Sequence, residues 1–303
     1  MSWDLTVAGT VHLDDITTPH GRRLGQIGGS ALYFALAAAP HGPVHLNAIV
    51  GSDAEPELRR LLAGLSVELD GLSVSDRPTF RWHAVHDFQR WVAETLAEEP
   101  GCDPEWRPHL SAAAARAEVL FLGSMRPFLQ REILAQSTAR LIAMDSMTCF
   151  TGPDREAVLE VVRGCDVLFL NRVELCSLVP EASGWEAAAQ TLQGQGRLRA
   201  LVVKAGPLGA ALVTATGIAE MRAAPVGAVI DPTGAGDAVA GGFLGLCAAR
   251  RRDDDGFFPV ALEAGLRLAA RTIESFGTAG LSRLAREGPE GIVPVTRRKA
   301  QSG

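Results

Sequence analysis

The 303-residue chain is short of net positive charge, of cysteine pairs and of long apolar segments. Its 29 basic residues against 35 acidic ones give a net charge of −6, and the basic residues form no patch with interleaved aromatics, so we expect no nucleic-acid partner. The five cysteines include no Cys-x-x-Cys pair, which is typical of a reduced cytoplasmic protein and implies no zinc site. Apolar stretches such as 31–39 are far shorter than the roughly 20 residues of a membrane span, so we expect no membrane partner.

Several common ligand motifs are also missing. The sequence contains no Gly-x-x-x-x-Gly-Lys-Ser/Thr loop, which excludes a P-loop nucleotide site, and no Gly-x-Gly-x-x-Gly after a strand, which excludes the usual dinucleotide site. It also contains no Gly-x-Ser-x-Gly, the nucleophile motif of many hydrolases. With 47% hydrophobic residues, the chain can still build a sizeable core, so a small-molecule ligand bound by other means is expected.

Short apolar runs alternate with helix-length stretches along most of the chain. This order predicts an α/β fold with a mostly parallel central sheet and helices on both faces, in one domain that we assign to 1–303. The frayed tail that we expect covers 297–303. The predicted strands are 5–8, 44–50, 119–122, 141–144, 167–170, 200–203 and 210–213. The predicted helices are 30–39, 55–63, 129–140, 154–162 and 185–193.

Two segments depart from this alternation, approximately 11–26 and 76–110, and we assign them to a small β lid. The second is rich in tryptophan and proline, and residues 79–85 alternate as a strand does. Two interpretations stay open: a mobile aromatic lid over a ligand, or a peripheral hairpin that covers the edge of the sheet.

The segment Asp-Pro-Thr-Gly-Ala-Gly-Asp at 231–237 is the strongest functional signal in the sequence. Gly234, Ala235 and Gly236 leave the backbone N–H groups accessible, and the apolar stretch 238–249 that follows has helical length. N–H groups at a helix N-terminus suit phosphate or the charge of a moving phosphoryl group. Asp237 is then placed to accept a proton from an attacking hydroxyl. The alternative is a glycine-rich turn that ends in an aspartate N-cap.

Polar residues, Asp145 among them, also follow other predicted strands, where parallel sheets bind their ligands. Asn171 and Glu174 lie three residues apart and can orient the water shell of Mg²⁺, or simply begin a helix. Lys204 either contacts phosphate or only reaches solvent at its strand end. Asp14 can accept two substrate hydroxyls, although the adjacent Asp15 can do the same.

These motifs, in this order, resemble the ribokinase-like (PfkB-type) carbohydrate and nucleoside kinases. The segment 231–237 resembles the C-terminal signature of that family, and Gly28-Gly29 resembles its N-terminal diglycine segment. Asp14 matches the early substrate-binding aspartate, and 171–174 reproduces an Asn-x-x-Glu motif. The resemblance extends from about residue 4 to about residue 285.

The resemblance implies a ribokinase-like three-layer sandwich that transfers the γ-phosphoryl group of ATP to a hydroxyl of a sugar, nucleoside or cyclitol. It implies Asp237 as the base, the 234–236 backbone as the anion hole, and Mg²⁺ held through water by Glu174 and Asn171. It further implies a nucleotide site, Asp231 as a ligand of a monovalent cation such as K⁺, and a homodimer formed through the lid. The residues implied for the nucleotide site are Asn171, Lys204, Gly206, Gly209 and Gly277. The alternative is a catalytically silent kinase-like protein that binds a nucleotide or metabolite and regulates partners.

The chain departs from the family pattern next to the diglycine. The family commonly has an asparagine three or four residues further on, whereas Leu32 and Tyr33 occupy that stretch here. If Tyr33 faces the substrate, its ring narrows the site and favours a ringed or base-bearing substrate over a free pentose. The other interpretation places Tyr33 in the helix packing, away from the substrate.

Overall fold

The computed structural model describes residues 4–288, so the tail expected at 297–303 lies outside the described residues. The strands are β1 Leu5–Ala8, β2 His12–Thr18, β3 Gly21–Gly28, β4 Val44–Gly51, β5 Val67–Ser75, β6 Arg81–Asp87, β7 Val92–Glu99, β8 Val119–Leu122, β9 Leu141–Asp145, β10 Val167–Asn171, β11 Ala200–Lys204, β12 Ala210–Thr214 and β13 Gly217–Met221. The helices are α1 Ser30–Ala38, α2 Glu55–Leu62, α3 Pro127–Gln136, α4 Thr148–Thr151, α5 Arg155–Val162, α6 Arg172–Leu178, α7 Trp185–Leu192, α8 Ala235–Arg250, α9 Phe258–Thr272 and α10 Ala279–Glu287.

A nine-stranded sheet in the order β13-β12-β11-β10-β9-β8-β1-β4-β5 forms the centre of the molecule. Strands β11 to β5 along this order are parallel, and only the pairs β11–β12 and β12–β13 at one edge are antiparallel. Because both faces of the inner parallel strands are covered, those strands are mostly apolar and buried, whereas the edge strand β5 is only partly buried. The predicted α/β fold with a mostly parallel sheet is confirmed, and each predicted strand of the central sheet is present.

Two apolar clusters, one on each face of the sheet, hold the layers together. On one face, α1 and α8 pack on the strands, and Phe34 stacks on Phe121 with ring centroids 4.3 Å apart. On the other face, α3, α5, α6 and α7 bury the remaining apolar strand residues. This packing fixes α1 and α8 side by side, which brings the start of α8 next to the diglycine segment before α1. No helix in the described part of the chain is long and apolar enough to span a membrane.

A second, four-stranded sheet is built from the two segments assigned to a lid. Its order is β3-β2-β6-β7, in which β2 and β6 are parallel and the other pairs antiparallel. The predicted strand 79–85 is shifted: β6 begins at Arg81. Thr79 is held before it, because its N–H and hydroxyl both donate to Asp53 Oδ1, at 2.9 and 2.7 Å.

Candidate active site

The strand ends of the central sheet and the lid enclose a cavity of about 530 Å³. Asp145 ends β9, Asn171 ends β10 and Lys204 ends β11, so these polar residues close their strands rather than follow them. The start of α8 reaches the same edge from the opposite side. As expected for an α/β sheet, the polar side chains therefore gather beyond the carboxyl ends of the strands.

The turn before α8 is shaped by Gly234. This residue adopts φ 74°, ψ 1°, a left-handed conformation that glycine reaches without strain. The helix begins at Ala235, three residues earlier than the apolar stretch at 238 suggested, because the left-handed residue ends the loop there. Gly236 and Asp237 consequently lie in the first helical turn, where backbone N–H groups have no partner within the helix. The geometry is that of a helix N-terminus suited to an anion, with a carboxyl group in its first turn.

Asp231 anchors this turn to the C-terminal part of the chain. It is 1% exposed, and its two oxygens accept the Thr233 N–H at 3.0 Å and the Gly277 N–H at 2.9 Å. The lid contributes a further contact, since His86 Nε2 lies 2.9 Å from the Thr233 hydroxyl. The two residues implied for ion and nucleotide binding, Asp231 and Gly277, thus lie together and hold the turn in place.

Lys204 and Asp145 form an ion pair beside the anion turn. Lys204 Nζ donates to Asp145 Oδ2 at 2.5 Å. A Cβ added to Gly236 would lie 3.1 Å from the same Nζ, which places the ammonium group against the first turn of α8. The structure therefore directs Lys204 into the cavity, whereas sequence reasoning left a solvent-directed side chain open.

The carboxyl groups of Asp237 and Glu174, beside Lys204, have raised pKa values. Burial, together with the Asp145 charge, raises the pKa of Asp237 to about 8, against the lowering effect of Lys204. Burial likewise raises the pKa of Glu174 to about 7, against the lowering effect of Lys204. A carboxyl group with a pKa near neutrality is well matched to general-base chemistry.

Asn171 and Glu174 form the N-cap of α6. The Glu174 N–H donates to Asn171 Oδ1 at 2.8 Å, and the Asn171 N–H donates to Glu174 Oε2 at 2.7 Å. This reciprocal pair is a capping box, the arrangement expected of an ordinary helix start. Glu174 nevertheless lines the cavity, and the cap leaves its second oxygen, Oε1, for another partner.

The carboxyl groups around Glu174 suit a bound cation, because its charge would favour their ionised forms. Three carboxyl groups, those of Asp145, Glu174 and Asp237, face the single ammonium group of Lys204. Among residues 4–288 no group of three or more His, Cys, Asp or Glu side chains converges tightly enough to hold a metal ion directly. A hydrated Mg²⁺ ion that is also bound by the phosphates of a substrate would suit this arrangement, because Mg²⁺ keeps several of its water ligands when a protein binds it.

Asp14 faces the cavity from β2, whereas the neighbouring Asp15 does not. Asp15 accepts the Gly25 N–H at 2.6 Å and pairs with Arg81 at 3.0 Å, on the other face of the lid sheet. Asp14 is 3% exposed, and its Oδ1 is buried without a hydrogen-bond partner. Burial raises the pKa of Asp14 to about 7. An unpartnered buried carboxylate oxygen is costly unless a ligand donates to it, so Asp14 is the better candidate for substrate hydroxyls.

The Tyr33 ring lies between the diglycine segment and the anion turn. It is 2% exposed and belongs to the apolar core, yet it also lines the cavity. A Cβ on Gly234 would lie only 2.2 Å from the ring, and one on Gly28 would lie 3.2 Å from it. Gly29 adopts φ 98°, and a Cβ there would approach the Thr10 carbonyl oxygen to 2.4 Å. The glycines are thus required by contacts within the protein.

The turn after β11 lies outside the central cavity and borders a second cavity of about 560 Å³. Gly209 has φ 103°, and a Cβ there would clash with the Met221 carbonyl oxygen, which fixes the β11–β12 connection. Gly206 has φ 55° and faces open space. A third cavity, of about 610 Å³, continues from residues 221–225 to α9. Open space thus extends outward from Lys204 along this turn.

Two residues of this site had weak signals in the sequence. Asp145 was recognised only as a polar residue at a strand end, and nothing in its local pattern indicates the pairing with Lys204, 59 positions away. Trp106 reaches the cavity from the loop after β7 and is 3% exposed. Its only signal was the clustering of tryptophan and proline in residues 76–110.

Comparison with known proteins shows the family of the chain. The pfkB family of carbohydrate kinases matches residues 17–283, and the chain belongs to that family. A cytidine kinase of Thermococcus kodakarensis is 28% identical over 251 residues, which cover 80% of this chain and 87% of that protein. The described fold is similar to a nucleoside kinase of Methanocaldococcus jannaschii, with a TM-score of 0.71, 21% identity and coverage of 90% and 92%. It is also similar to the ribokinase of Cryptococcus neoformans solved with ADP, with a TM-score of 0.76, 18% identity and coverage of 94% and 99%.

Proposed function

We propose that this protein transfers the γ-phosphoryl group of ATP to a hydroxyl group of a small sugar-like alcohol, a class that includes sugars, nucleosides and cyclitols. The observation that carries the proposal is the position of Asp237 in the first turn of α8, in one cavity with the unpartnered carboxylate oxygen of Asp14. Asp14 can hold substrate hydroxyls while Asp237 accepts a proton.

In this proposal the Asp237 carboxylate takes the proton of the substrate hydroxyl. The freed oxygen forms a bond to the γ-phosphorus, the bond from that phosphorus to the bridging oxygen breaks, and ADP leaves with the electron pair. The backbone N–H groups of residues 234–236 and the Lys204 ammonium face the charge that develops on the phosphoryl oxygens. Lys204 would then exchange part of its contact with Asp145 for the phosphoryl group.

Glu174 would hold the water shell of a Mg²⁺ ion, and this ion would neutralise phosphate charge. Asn171 supports the same role by fixing the Glu174 side chain through the capping box. The adenosine part of ATP would extend past Lys204 along the turn with Gly206 and Gly209, towards the cavities beside residues 221–225. A monovalent cation such as K⁺ near Asp231 would share a carboxylate whose oxygens already accept two backbone N–H groups.

A homodimer through the lid also remains part of the proposal. The lid exposes large apolar side chains, with Leu24 57%, Trp91 44% and Leu96 61% exposed. Light scattering of the purified protein and of Leu96→Glu tests this, since a change from dimer to monomer in the variant is expected. A monomeric parent protein would contradict it.

The test of the main proposal is an ADP-release assay with a pooled panel of sugars, cyclitols and nucleosides. We expect ADP formation that depends on one class of acceptor and on Mg²⁺. A catalytically silent regulatory protein would instead bind nucleotide without acceptor-dependent ADP. If Asp237→Asn releases ADP as fast as the parent protein, the assignment of the base is wrong.

A further inference from the structure

The cavity has a second half that phosphoryl transfer does not use. Part of its lining is apolar and mostly aromatic, formed by Phe80, Trp82, Trp106, Met125, Leu129 and Phe150. Two carboxyl groups suited to hydroxyl groups line the same cavity: Asp14, which is paired with Trp82 in the lid sheet, and Asp237 at the start of α8. A wall of aromatic rings suits a flat, apolar-faced group better than a hydroxylated sugar ring. The asymmetry of the cavity therefore indicates a substrate with two chemically different parts.

One side chain in this half carries an unused hydrogen-bond donor. Trp106 is 3% exposed, and its indole N–H is buried without a partner in the protein. Trp82 provides the contrast, because its indole N–H donates to the Thr95 hydroxyl at 3.0 Å. A buried N–H left unpaired destabilises the protein, so a ligand acceptor at Trp106 would remove that penalty. Trp82 needs no such acceptor and serves as a wall.

The surroundings of Trp106 hold it in place. Its backbone N–H donates to the Asp103 carbonyl oxygen at 3.2 Å, and its own carbonyl accepts the Arg107 guanidinium at 2.8 Å. Its ring packs in the apolar cluster with Ile49, Leu110 and Met125. The donor is therefore preorganised rather than free to turn towards another partner.

An acceptor lies on the same short segment. The Asp103 carboxylate lines the cavity 3.5 Å from His12 Nε2, and the His12 ring lies against Phe80 with centroids 4.2 Å apart. A donor from Trp106 and an acceptor from Asp103, between aromatic walls, match a planar heterocycle that carries a carbonyl beside an N–H or amino group.

We propose that this half of the cavity binds a nucleobase, so that the phosphoryl acceptor is a nucleoside. The Trp106 indole N–H donates to a carbonyl oxygen of the base, and Asp103 accepts from its amino or ring N–H group. Asp14 then faces the ribose hydroxyls and Asp237 the hydroxyl that is phosphorylated. This inference rests on the proposed function for the reaction, but it makes Trp106 a specificity residue that the reaction alone does not require.

Binding tests the inference without turnover. Calorimetric titration of the full chain, alone and with a non-hydrolysable ATP analogue, is made with cytidine, inosine, ribose and a phenyl C-riboside that has a ring but no base edge. We expect cytidine or inosine to bind at least about tenfold more tightly than ribose. Trp106→Phe keeps an aromatic wall and removes the donor, so it should weaken binding of that nucleoside about 5- to 30-fold. It should leave the affinity for the phenyl C-riboside within about twofold.

Trp185→Phe is the matched control, because Trp185 lies on α7 outside this cavity, and we expect it to change no affinity. Retained binding of the phenyl C-riboside by Trp106→Phe shows that the variant is folded. Equal affinity for ribose and nucleosides would overturn the inference, as would unchanged nucleoside binding in Trp106→Phe.

The outcomes also separate this inference from the proposed function. Nucleoside binding that depends on Trp106, without ADP release in the kinase assay, supports the base subsite and removes the kinase proposal. ADP release with ribose that matches the rate with nucleosides supports the kinase proposal and removes the base subsite.

Discussion

Replacing Lys204 and replacing Asp145, each by a neutral residue, should move the pH dependence of the reaction in opposite directions. The rate requires ionised Asp237, whose pKa is raised to about 8 by burial and by the Asp145 charge, and lowered by Lys204. Activity should therefore decrease as the pH falls through this range. Lys204→Gln removes the ammonium group and raises the pKa of Asp237 further, whereas Asp145→Asn removes a negative charge and lowers it.

The size of the displacement follows from the position of the ammonium group. Lys204 Nζ lies beside the first turn of α8 and is shared with Asp145 at 2.5 Å, so its charge is partly neutralised before it acts on Asp237. A full opposite charge at 4–6 Å changes a carboxyl pKa by about 1–3 units. With partial neutralisation, we expect each variant to move the acid limb by about one pH unit, a tenfold rate difference on that limb at fixed pH.

The assay is kcat/KM for the acceptor at saturating MgATP, measured from pH 5.5 to about 9.5 for the parent protein and both variants. Lys204→Gln should move the acid limb to higher pH and Asp145→Asn to lower pH. Arg140→Gln, at the opposite end of β9, is the control for an altered surface charge. Acid limbs that move in the same direction, or stay unmoved in both variants, would refute the assignment of Asp237 as the titrating base.

Three further predictions concern the turn, the metal and the core. Gly234→Ala should lower the free energy of unfolding by about 3 kcal/mol or more in urea titrations, because the alanine would be left-handed and would also clash with Tyr33. The control is Gly64→Ala, at a glycine with φ 79° that faces open space, and it should lower the free energy of unfolding by only about 1–2 kcal/mol. Equal losses in the two variants would contradict the clash with Tyr33. Glu174→Gln should raise the Mg²⁺ concentration for half-maximal rate several-fold, and an unchanged titration would remove Glu174 from the metal's water shell. Burial and Arg250 lower the pKa of His41 to about 4, so the unfolded chain binds a proton that the folded one does not, and stability should fall by up to about 3 kcal/mol between pH 6.5 and 4. Urea titrations of His41→Gln should lack this part of the pH dependence, and an unchanged slope would contradict it.

Most of the central sheet could be predicted, because parallel strands that are covered on both faces have a recognisable local sequence pattern. Each such strand is a short apolar run between helix-length stretches. Because the carboxyl ends of parallel strands meet at one edge of the sheet, the polar residues Asp145, Asn171 and Lys204 are expected together at that edge. For these predicted strands only the exact ends differed. The edge strands β5 and β13 of the same sheet were not predicted, because β5 alternates polar with apolar residues and β13 is largely exposed. In the lid sheet, the strand predicted at 79–85 begins at Arg81, because Asp53 binds Thr79. This contact cannot be predicted from the local sequence.

The chemistry inside the cavity was less accessible from sequence. The pair of Lys204 with Asp145 and the approach of Tyr33 to Gly234 both join residues far apart in the chain, so they depend on tertiary packing. Tyr33 is buried in the core and also lines the cavity, so a role in substrate binding stays a prediction. Trp106 lies in a loop whose course is set by the lid, and its unpaired N–H is visible only once its neighbours are placed.

The most direct test of the account is the turnover of Asp237→Asn with ATP and the best acceptor of the panel. The variant keeps the size of the side chain and the turn, but it cannot accept the hydroxyl proton. We expect turnover to fall by about 100-fold or more, while the Kd for ATP stays within about threefold of the parent value. Undiminished turnover, or a loss of ATP binding as large as the loss of turnover, would contradict Asp237 as the base of a phosphoryl transfer.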